Sequence, residues 1–409
     1  MAPVLDGIVV ADFSRVLAGP LATVTLADLG ADVIKIERPG AGDDTRAWGP
    51  PWTERTSAYF EAANRSKRSI ELDLDDPEDR DAARELVRRA DVLVENFRSG
   101  ALDAKGLGYD EAAAINPRLI YCSVTGFGSE AGAALPGYDF LVQALGGLMS
   151  ITGEPDGDPM KVGVALVDVL TAKDAVAGIL AALFERERSG LGQHVEVNLL
   201  SSLLGSLANQ GANFLATGSA PSRLGNTHPS IAPYEALRCR DGLLAVACGN
   251  DGQFARLVAT AGAAELARDP RFATNPDRVR HRAELVALLE ERLAADHAEE
   301  WARRLTEAGV PAGTVGDVAS GFALADRLGL RPRVHIGDGA MDQVRSPITL
   351  SRTPVGDYRR PPALGEHTES IRADLGSPPQ VRADPPRAHP GGQQGEQHDA
   401  RLPGAQTAR

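Results

Sequence analysis

Strand-like and helix-like patterns alternate through the first half of this chain, and that alternation limits the possible folds more than any other feature. Gly7–Asp12 reads as a short buried strand, Leu21–Leu29 as an apolar helix closed by Gly30, and Asp32–Glu37 as the next strand. A third strand is expected at Ser69–Leu74, followed by a helix opened by Pro77 and running to about Ala90. Asp91–Asn96 and Leu119–Val124 read as further strands with a helical pattern between them, and Ala172–Arg188 and His194–Asn198 continue the series as helix and strand. Strands separated by helices pair in parallel, and a parallel sheet needs both faces covered. The expected fold is therefore α/β, with a Rossmann-like large domain built on a parallel sheet.

Further on, residues 214–232 are rich in Gly, Ser, Asn and Pro and read as a long crossover. A second unit follows, with a strand at Gly242–Cys248 and helices near 252–261, 280–293 and 298–308, which predicts a smaller α+β domain. Residues 346–350 read as a returning strand. After Gly376 the chain becomes rich in Pro, Gly, Gln and Arg with little to bury, so residues 377–409 are expected to be a disordered tail.

A length of 409 residues suits two domains, and 43% apolar with 24% charged residues is ordinary for a soluble globular chain. No apolar run is long enough to span a bilayer, and the start of the chain lacks a signal-peptide pattern. The three cysteines, Cys122, Cys239 and Cys248, form no CxxC pair, which fits a reducing compartment, with cytoplasm expected and no thiolate metal site. A net charge of −13 argues against a general nucleic-acid binder. Basic residues nonetheless cluster early, at Lys35 and Arg38, at Arg65, Lys67 and Arg68, and at Arg98 and Lys105. On charge alone these read as solvated strand ends and helix faces. The turn after the first strand, Asp12–Pro20, holds one glycine where a dinucleotide enzyme needs G-x-G-x-x-G, which excludes an NAD enzyme.

Asp168 is the lone acid of the apolar stretch Val162–Leu170, at the start of the helix running to about Arg188. One reading makes it an N-cap. The other makes it reactive: a carboxylate at a helix N-terminus stays ionised and faces backbone donors that can hold a developing oxyanion.

An ordered series of motifs bears on that choice. It comprises Ser14-Arg-Val-Leu-Ala-Gly-Pro20, Gly30-Ala-Asp-Val-Ile-Lys-Ile-Glu-Arg-Pro-Gly40, Gly42-Asp-Asp-Thr-Arg46, Asn64-Arg-Ser-Lys-Arg-Ser-Ile-Glu-Leu-Asp-Leu74 and Asp91-Val-Leu-Val-Glu-Asn-Phe-Arg98. It continues with Asn116-Pro-Arg-Leu-Ile120, Ser123-Val-Thr-Gly-Phe-Gly128, Pro136-Gly-Tyr-Asp139, Ser189-Gly-Leu-Gly-Gln193 and Leu364-Gly-Glu-His-Thr368. Over about residues 5 to 376 the chain resembles the class III CoA-transferases, the formyl-CoA transferase or carnitine CoA-transferase family. That resemblance implies an acyl-CoA:carboxylate CoA-transferase with Asp168 as nucleophile, a mixed anhydride and then an aspartyl-CoA thioester. An aspartate ionised at pH 7 needs no general base for this.

The resemblance also implies coenzyme A as co-substrate, no permanently bound cofactor and no metal. Family contacts to CoA carry over to Val16, Leu17, Ala18, Arg38, Leu72, Asn96, Phe97, Arg98 and Tyr138. For Leu72 and Phe97 core packing is the alternative. Many relatives have a basic residue where this chain has Ala104, so either Lys105 takes over that phosphate contact or the contact is lost. Gly225–Ile231 and Gly249–Phe254 are similar to the branch that uses succinyl-CoA with C4 to C6 dicarboxylates, whereas oxalate users tend to carry Gln where Leu17 sits. His228 is expected either to read the acceptor acid or to order its loop. The resemblance further implies an interlocked homodimer, with a large domain of residues 1–205 and 330–376 and a smaller one of 206–329 between. Two rival activities share these features: a 2-methylacyl-CoA racemase and a non-catalytic CoA-binding protein. Racemases pair the aspartate with a histidine base in Gly-His-Asp, where this chain has Gly137-Tyr138-Asp139.

Overall fold

A computed structural model describes residues 2–337 and 339–377, so all of the expected tail beyond Ser377 lies outside the described residues. Six strands, β1 (Val9–Asp12), β2 (Asp32–Glu37), β3 (Arg68–Glu71), β4 (Val92–Glu95), β5 (Ile120–Thr125) and β6 (His194–Asn198), pair in parallel throughout. Their order, β3-β2-β1-β4-β5-β6, is that of a doubly wound sheet, with the chain working outward from β1 and then outward again from β4.

The connections are α1 (Ala18–Asp28), α2 (Ala58–Asn64), α3 (Pro77–Arg89), α4 (Tyr109–Ile115), α5 (Asp139–Leu145) and α6 (Leu166–Ser189). After β6 come α7 (Leu199–Ser206) and α8 (Ala208–Thr217). α3 begins as its sequence suggests: the Asp76 carboxylate caps Glu78 and Asp79 N–H, and Pro77 takes the first turn. α6 ends on Gly190, whose φ of 76° reverses the chain at low steric cost.

A three-stranded antiparallel sheet, β7 (Tyr234–Arg238), β8 (Leu243–Ala247) and β9 (Ala312–Thr314), forms the smaller region. It packs with α9 (Asp251–Thr260), α10 (Asn275–Arg280), α11 (Arg282–Leu293) and α12 (Ala298–Glu307) around a core that includes Phe254, Phe272, Leu289 and Trp301. Then follow α13 (Val318–Arg327), a hairpin of β10 (Arg333–Val334) with β11 (Gln343–Val344), and α14 (Thr368–Gly376).

One face of the parallel sheet is covered by α1 and α6, whose residues join Val10, Val33, Val94 and Cys122 in one core. The other carries α3 and α4, with Leu86, Val87 and Ala112 packed on Ile36, Leu93 and Tyr121. The chain returns to this layer at its described end, where Ile371 of α14 joins the same core and His367 donates its N–H to Ser69 O at 3.0 Å.

Three expectations need correction. Residues 346–350 form no strand; Pro347 has no N–H to give a ladder, and the pairing falls to β10 and β11. The 214–232 stretch is irregular only after α8 ends at Thr217. The helix expected from Ala172 starts at Leu166, because its first turn is capped from another element.

Candidate active site

In a doubly wound sheet, ligands sit beyond the carboxyl ends of the strands where the order reverses. Here that point lies between β1 and β4. A crevice of about 260 Å³ opens there, lined by Arg15–Ala18 after β1, Asn96–Ser99 after β4, Val124–Gly128 at the end of β5, and Tyr138 and Asp168.

The turn after β1 is built without the glycines a dinucleotide cradle uses. Side chains satisfy its backbone instead. Ser14 N–H donates to Asp12 at 3.0 Å, and Ser14 O accepts from Lys35 Nζ at 2.9 Å. Asn96 closes both polar groups of Arg15, accepting from its N–H at 2.8 Å and donating to its carbonyl at 2.7 Å. Val16 N–H points to both oxygens of Asp43 at 3.3 Å. These tethers hold Val16 at φ 70°, a conformation that a β-branched residue adopts only under constraint.

Two fully buried ion pairs anchor the tethers: Lys35 with Asp43 and Lys67 with Asp12, each at 2.9 Å. Burial would raise Asp12, but Lys67 and Lys35 outweigh it and hold the carboxyl below the ordinary range. Burial likewise opposes ionisation of Asp43, and Lys35 reverses the effect. Lys67 is pushed down to about 8 by burial despite Asp12. These charges survive burial because each has a partner and further hydrogen bonds.

At the other wall of the crevice the logic is reversed. Gly126 and Gly137 cross so closely that a Cβ on Gly126 would lie 2.4 Å from Gly137 Cα, which lets the loop after β5 touch the segment leading into α5. α5 opens with Asp139, whose Oδ1 accepts from Val167 N–H at 2.8 Å and Asp168 N–H at 3.4 Å. Its Oδ2 accepts from Gln143 Nε2 at 2.7 Å, and Gln143 Oε1 accepts from Val162 N–H at 2.9 Å. Asp139 thus caps α6, and Asp168 does not: the N-cap position is Ala165, and Asp168 stands in the first turn. The Asp168 carboxylate accepts no hydrogen bond among the described residues. Burial, and secondarily the charge of Asp139, pushes its carboxyl up to about 7.

The corner therefore departs from two expectations. Asp168 is not held ionised by helix donors, and the first N–H groups of α6 cannot hold an oxyanion, being taken by Val164 O, Asp139 and Ala165 O. Free donors lie across the crevice at the start of α1, where the N–H groups of Leu17 and Ala18 make no hydrogen bond among the described residues.

Of the residues singled out from sequence, Val16, Leu17, Ala18, Asn96, Phe97, Arg98, Tyr138 and Asp168 line this one crevice. Arg38 lies at its edge, bonded at 2.5 Å to Asp44, itself a lining residue. Leu72 is 2% exposed and belongs to the core beneath the sheet, not to the crevice wall. Lys105 pairs with Asp75 away from the crevice. His228 is also outside the crevice of its own chain; its Nδ1 accepts from Ser230 N–H at 3.1 Å and its ring lies against Tyr234, a loop-ordering arrangement.

Sequence patterns missed Arg15, Tyr59 and the Asp139–Gln143 pair. Arg15 stacks its guanidinium 4.5 Å from the centre of the Phe97 ring. Neither Arg15 nor Arg98 has an ion-pair partner among the described residues, so the crevice keeps unspent positive charge. Half-buried Tyr59 lies edge-on to Trp48, and its phenol is pushed up to about 12 by burial and by Asp168, Asp139 and Asp43. The i, i+4 spacing of Asp139 and Gln143 on a short helix was the one readable signal among these.

The match to known proteins is extensive. Residues 5–368 match CoA-transferase family III. A succinate–glutarate CoA-transferase of Agrobacterium fabrum is 46% identical over 383 residues, spanning 91% of this chain and 96% of that protein. The human succinyl-CoA:glutarate CoA-transferase is 40% identical over 375 residues, spanning 91% of this chain and 86% of its own length. The crystal structure of a CaiB/BaiF family protein from Brucella suis superimposes with a TM-score of 0.83 at 47% identity, covering 92% of this chain and all of that one. A sheet order, a crevice and a sequence match that all agree place the chain in CoA-transferase family III, and it is a CoA-transferase.

Proposed function

We propose that this enzyme moves CoA from succinyl-CoA to a short dicarboxylate such as glutarate, with Asp168 as the covalent nucleophile. The observation that carries the reading is the Asp168 carboxylate itself, on the wall of the crevice, with no cation or hydrogen-bond donor among the described residues to blunt its oxygens. An oxygen of Asp168 attacks the thioester carbonyl, a C–O bond forms, and CoA leaves as thiolate. The thiolate then attacks the Asp168 carbonyl carbon, releasing succinate and leaving an aspartyl-CoA thioester. The acceptor carboxylate attacks that carbon, expelling CoA thiolate. The thiolate finally attacks the acceptor carbonyl, forming the new thioester and freeing Asp168. No proton is gained or lost over the cycle.

The free N–H groups at the start of α1 are suited to hold the carbonyl oxygen as charge develops on it. Arg15, Arg98 and Arg38 offer positive charge to the CoA phosphates, and the Phe97 ring an apolar surface. The side chains of Leu72 and Lys105 support this role less, given where they lie. We assign residues 1–205 with 330–376 to the large domain and 206–329 to the smaller one. A homodimer is supported by apolar side chains left open on α8 and α13: Phe214, Leu215, Val318 and Leu324 are all exposed, and neither helix buries a residue against its own chain. No described helix is long and apolar enough to cross a membrane, and a cytoplasmic location fits the three free cysteines.

Steady-state kinetics test the reading. Varying succinyl-CoA against glutarate should give parallel double-reciprocal lines, the signature of a covalent intermediate, with free succinate as product. Intersecting lines, or turnover without an acceptor acid, would contradict it.

A further inference from the structure

Several buried carboxylates in this protein have cations beside them: Asp12 has Lys67, Asp28 has Arg65, Glu37 has Arg46 and Asp43 has Lys35, while Glu61 and Glu95 rely on hydrogen-bond donors, Thr53 and Phe97 N–H among them. Half-buried Asp139 and Asp168 differ from all of these in being two acids side by side. Asp139 Oδ1 lies 3.4 Å from Asp168 N–H, and no Lys, Arg or His is in ion-pair contact with either among the described residues. Asp139 is nonetheless held firmly, by two N–H groups of α6 and by Gln143, a side chain with no exposed surface. Gln143 in turn holds Val162 N–H, so the whole approach to α6 hangs from these two side chains.

We propose that Asp139 is a positioning residue for CoA transfer: it fixes the first turn of α6 and sets a second negative charge against Asp168, so that each acylation of Asp168 relieves a repulsion. The inference rests on the reading of Asp168 as nucleophile. When the Asp168 oxygen bonds the acyl carbon and the C–S bond breaks, the electron pair leaves on CoA sulfur, and Asp168 becomes a neutral acyl group beside a still-charged Asp139. The anhydrides and the aspartyl thioester are all neutral at this position. Free carboxylate is the one state of the cycle that the arrangement penalises, which raises its basicity and draws the covalent states closer to it in free energy.

The raised Asp168 carboxyl, at about 7, accords with this geometry. The other charged or titratable groups near it are Tyr59 from α2, Tyr138 just ahead of α5, and Arg15, Asp44 and Arg98 from the crevice loops. None of them hydrogen-bonds Asp168 among the described residues.

The test is the pH dependence of kcat/KM for succinyl-CoA, with glutarate as acceptor, in the full-length enzyme. The wild type should lose activity as pH falls through about 7, the limb that reports ionisation of free Asp168. Asp139→Asn keeps a capping oxygen but removes the charge. It should move that limb down by about one pH unit or more and lower the plateau on the order of tenfold. Asp139→Glu should return the limb toward the wild-type position. Gln143→Leu, which loosens Asp139 without removing its charge, should leave the limb in place. A folded Asp139→Asn enzyme with a wild-type limb, and with Asp168 still trapped by borohydride, would overturn the proposal. Failure to trap Asp168 in the wild type would overturn the nucleophile reading beneath it.

Discussion

The two walls of the crevice handle buried charge in opposite ways. Around the turn after β1, Lys35, Asp43, Lys67 and Asp12 form two dry, fully paired salt bridges, and every backbone polar group from Ser14 to Val16 N–H has a partner. Around the first turn of α6, Asp168 has a like charge for a neighbour and no donor among the described residues. The first wall invests pairing in rigidity and uses it to hold one strained residue, Val16. The second leaves a carboxylate without a neutralising partner among the described residues, which suits the nucleophile proposed for it. Binding surfaces benefit from satisfied groups; a nucleophile benefits from an unsatisfied one.

The contrast is broken most completely by Asp168→Asn. Turnover should fall on the order of 10³-fold or more, because the proposed nucleophile is gone. Stability should move the other way. A carboxyl raised in the folded state from 3.8 to about 7 contributes stability that is full below about 4 and lost as pH rises through about 7. The variant escapes that loss. Melting curves of the two proteins should separate as pH is raised from 4 to 8, with the variant the more stable at the upper end.

Lys35→Met attacks the other wall. It leaves Asp43 buried without its cation, which should cost about 3–5 kcal/mol in urea unfolding. Any folded fraction should show a raised KM for succinyl-CoA, since Ser14 O and the Asp43 tether to Val16 are released together. An unchanged KM would detach the ion pair from binding.

Leu72→Ala should cost about 2–5 kcal/mol through the cavity it leaves. KM for succinyl-CoA should not change, since the side chain faces the core. A KM that rises with the loss of stability would return Leu72 to the ligand. Smallest is Val16→Gly. Relief of about 1–3 kcal/mol of backbone strain is offset by about 0.5–1 kcal/mol of added chain entropy and some lost packing, so the unfolding midpoint should scarcely move. A large loss of stability would mean that φ at Val16 carries little strain.

The sheet was legible residue by residue because its signal is local: β2 and β6 occupy the expected Asp32–Glu37 and His194–Asn198, and Pro77 opens α3 as anticipated. The crevice loops were legible only through family resemblance, since the turn after β1 lacks the glycines that would mark it. What could not be read was everything set by pairing across the sheet. Lys35 and Lys67 looked like solvated strand ends and are fully buried, because Asp43 and Asp12 come to meet them. Asp168 could be read locally as a helix cap or as a reactive acid, and the cap is Asp139, far away in sequence. The Asp168 carboxyl is raised first by burial and secondarily by Asp139, and neither is visible in the local sequence.

Asp168 is the proposed covalent link between donor and acceptor. Full-length enzyme mixed with succinyl-CoA, quenched with borohydride and digested, would be read by peptide mass spectrometry. Reduction of the Asp168 side chain to its alcohol, absent when acyl-CoA is omitted and absent in Asp168→Asn, is the expected result. An unreduced Asp168 in enzyme that still transfers CoA would contradict the covalent account.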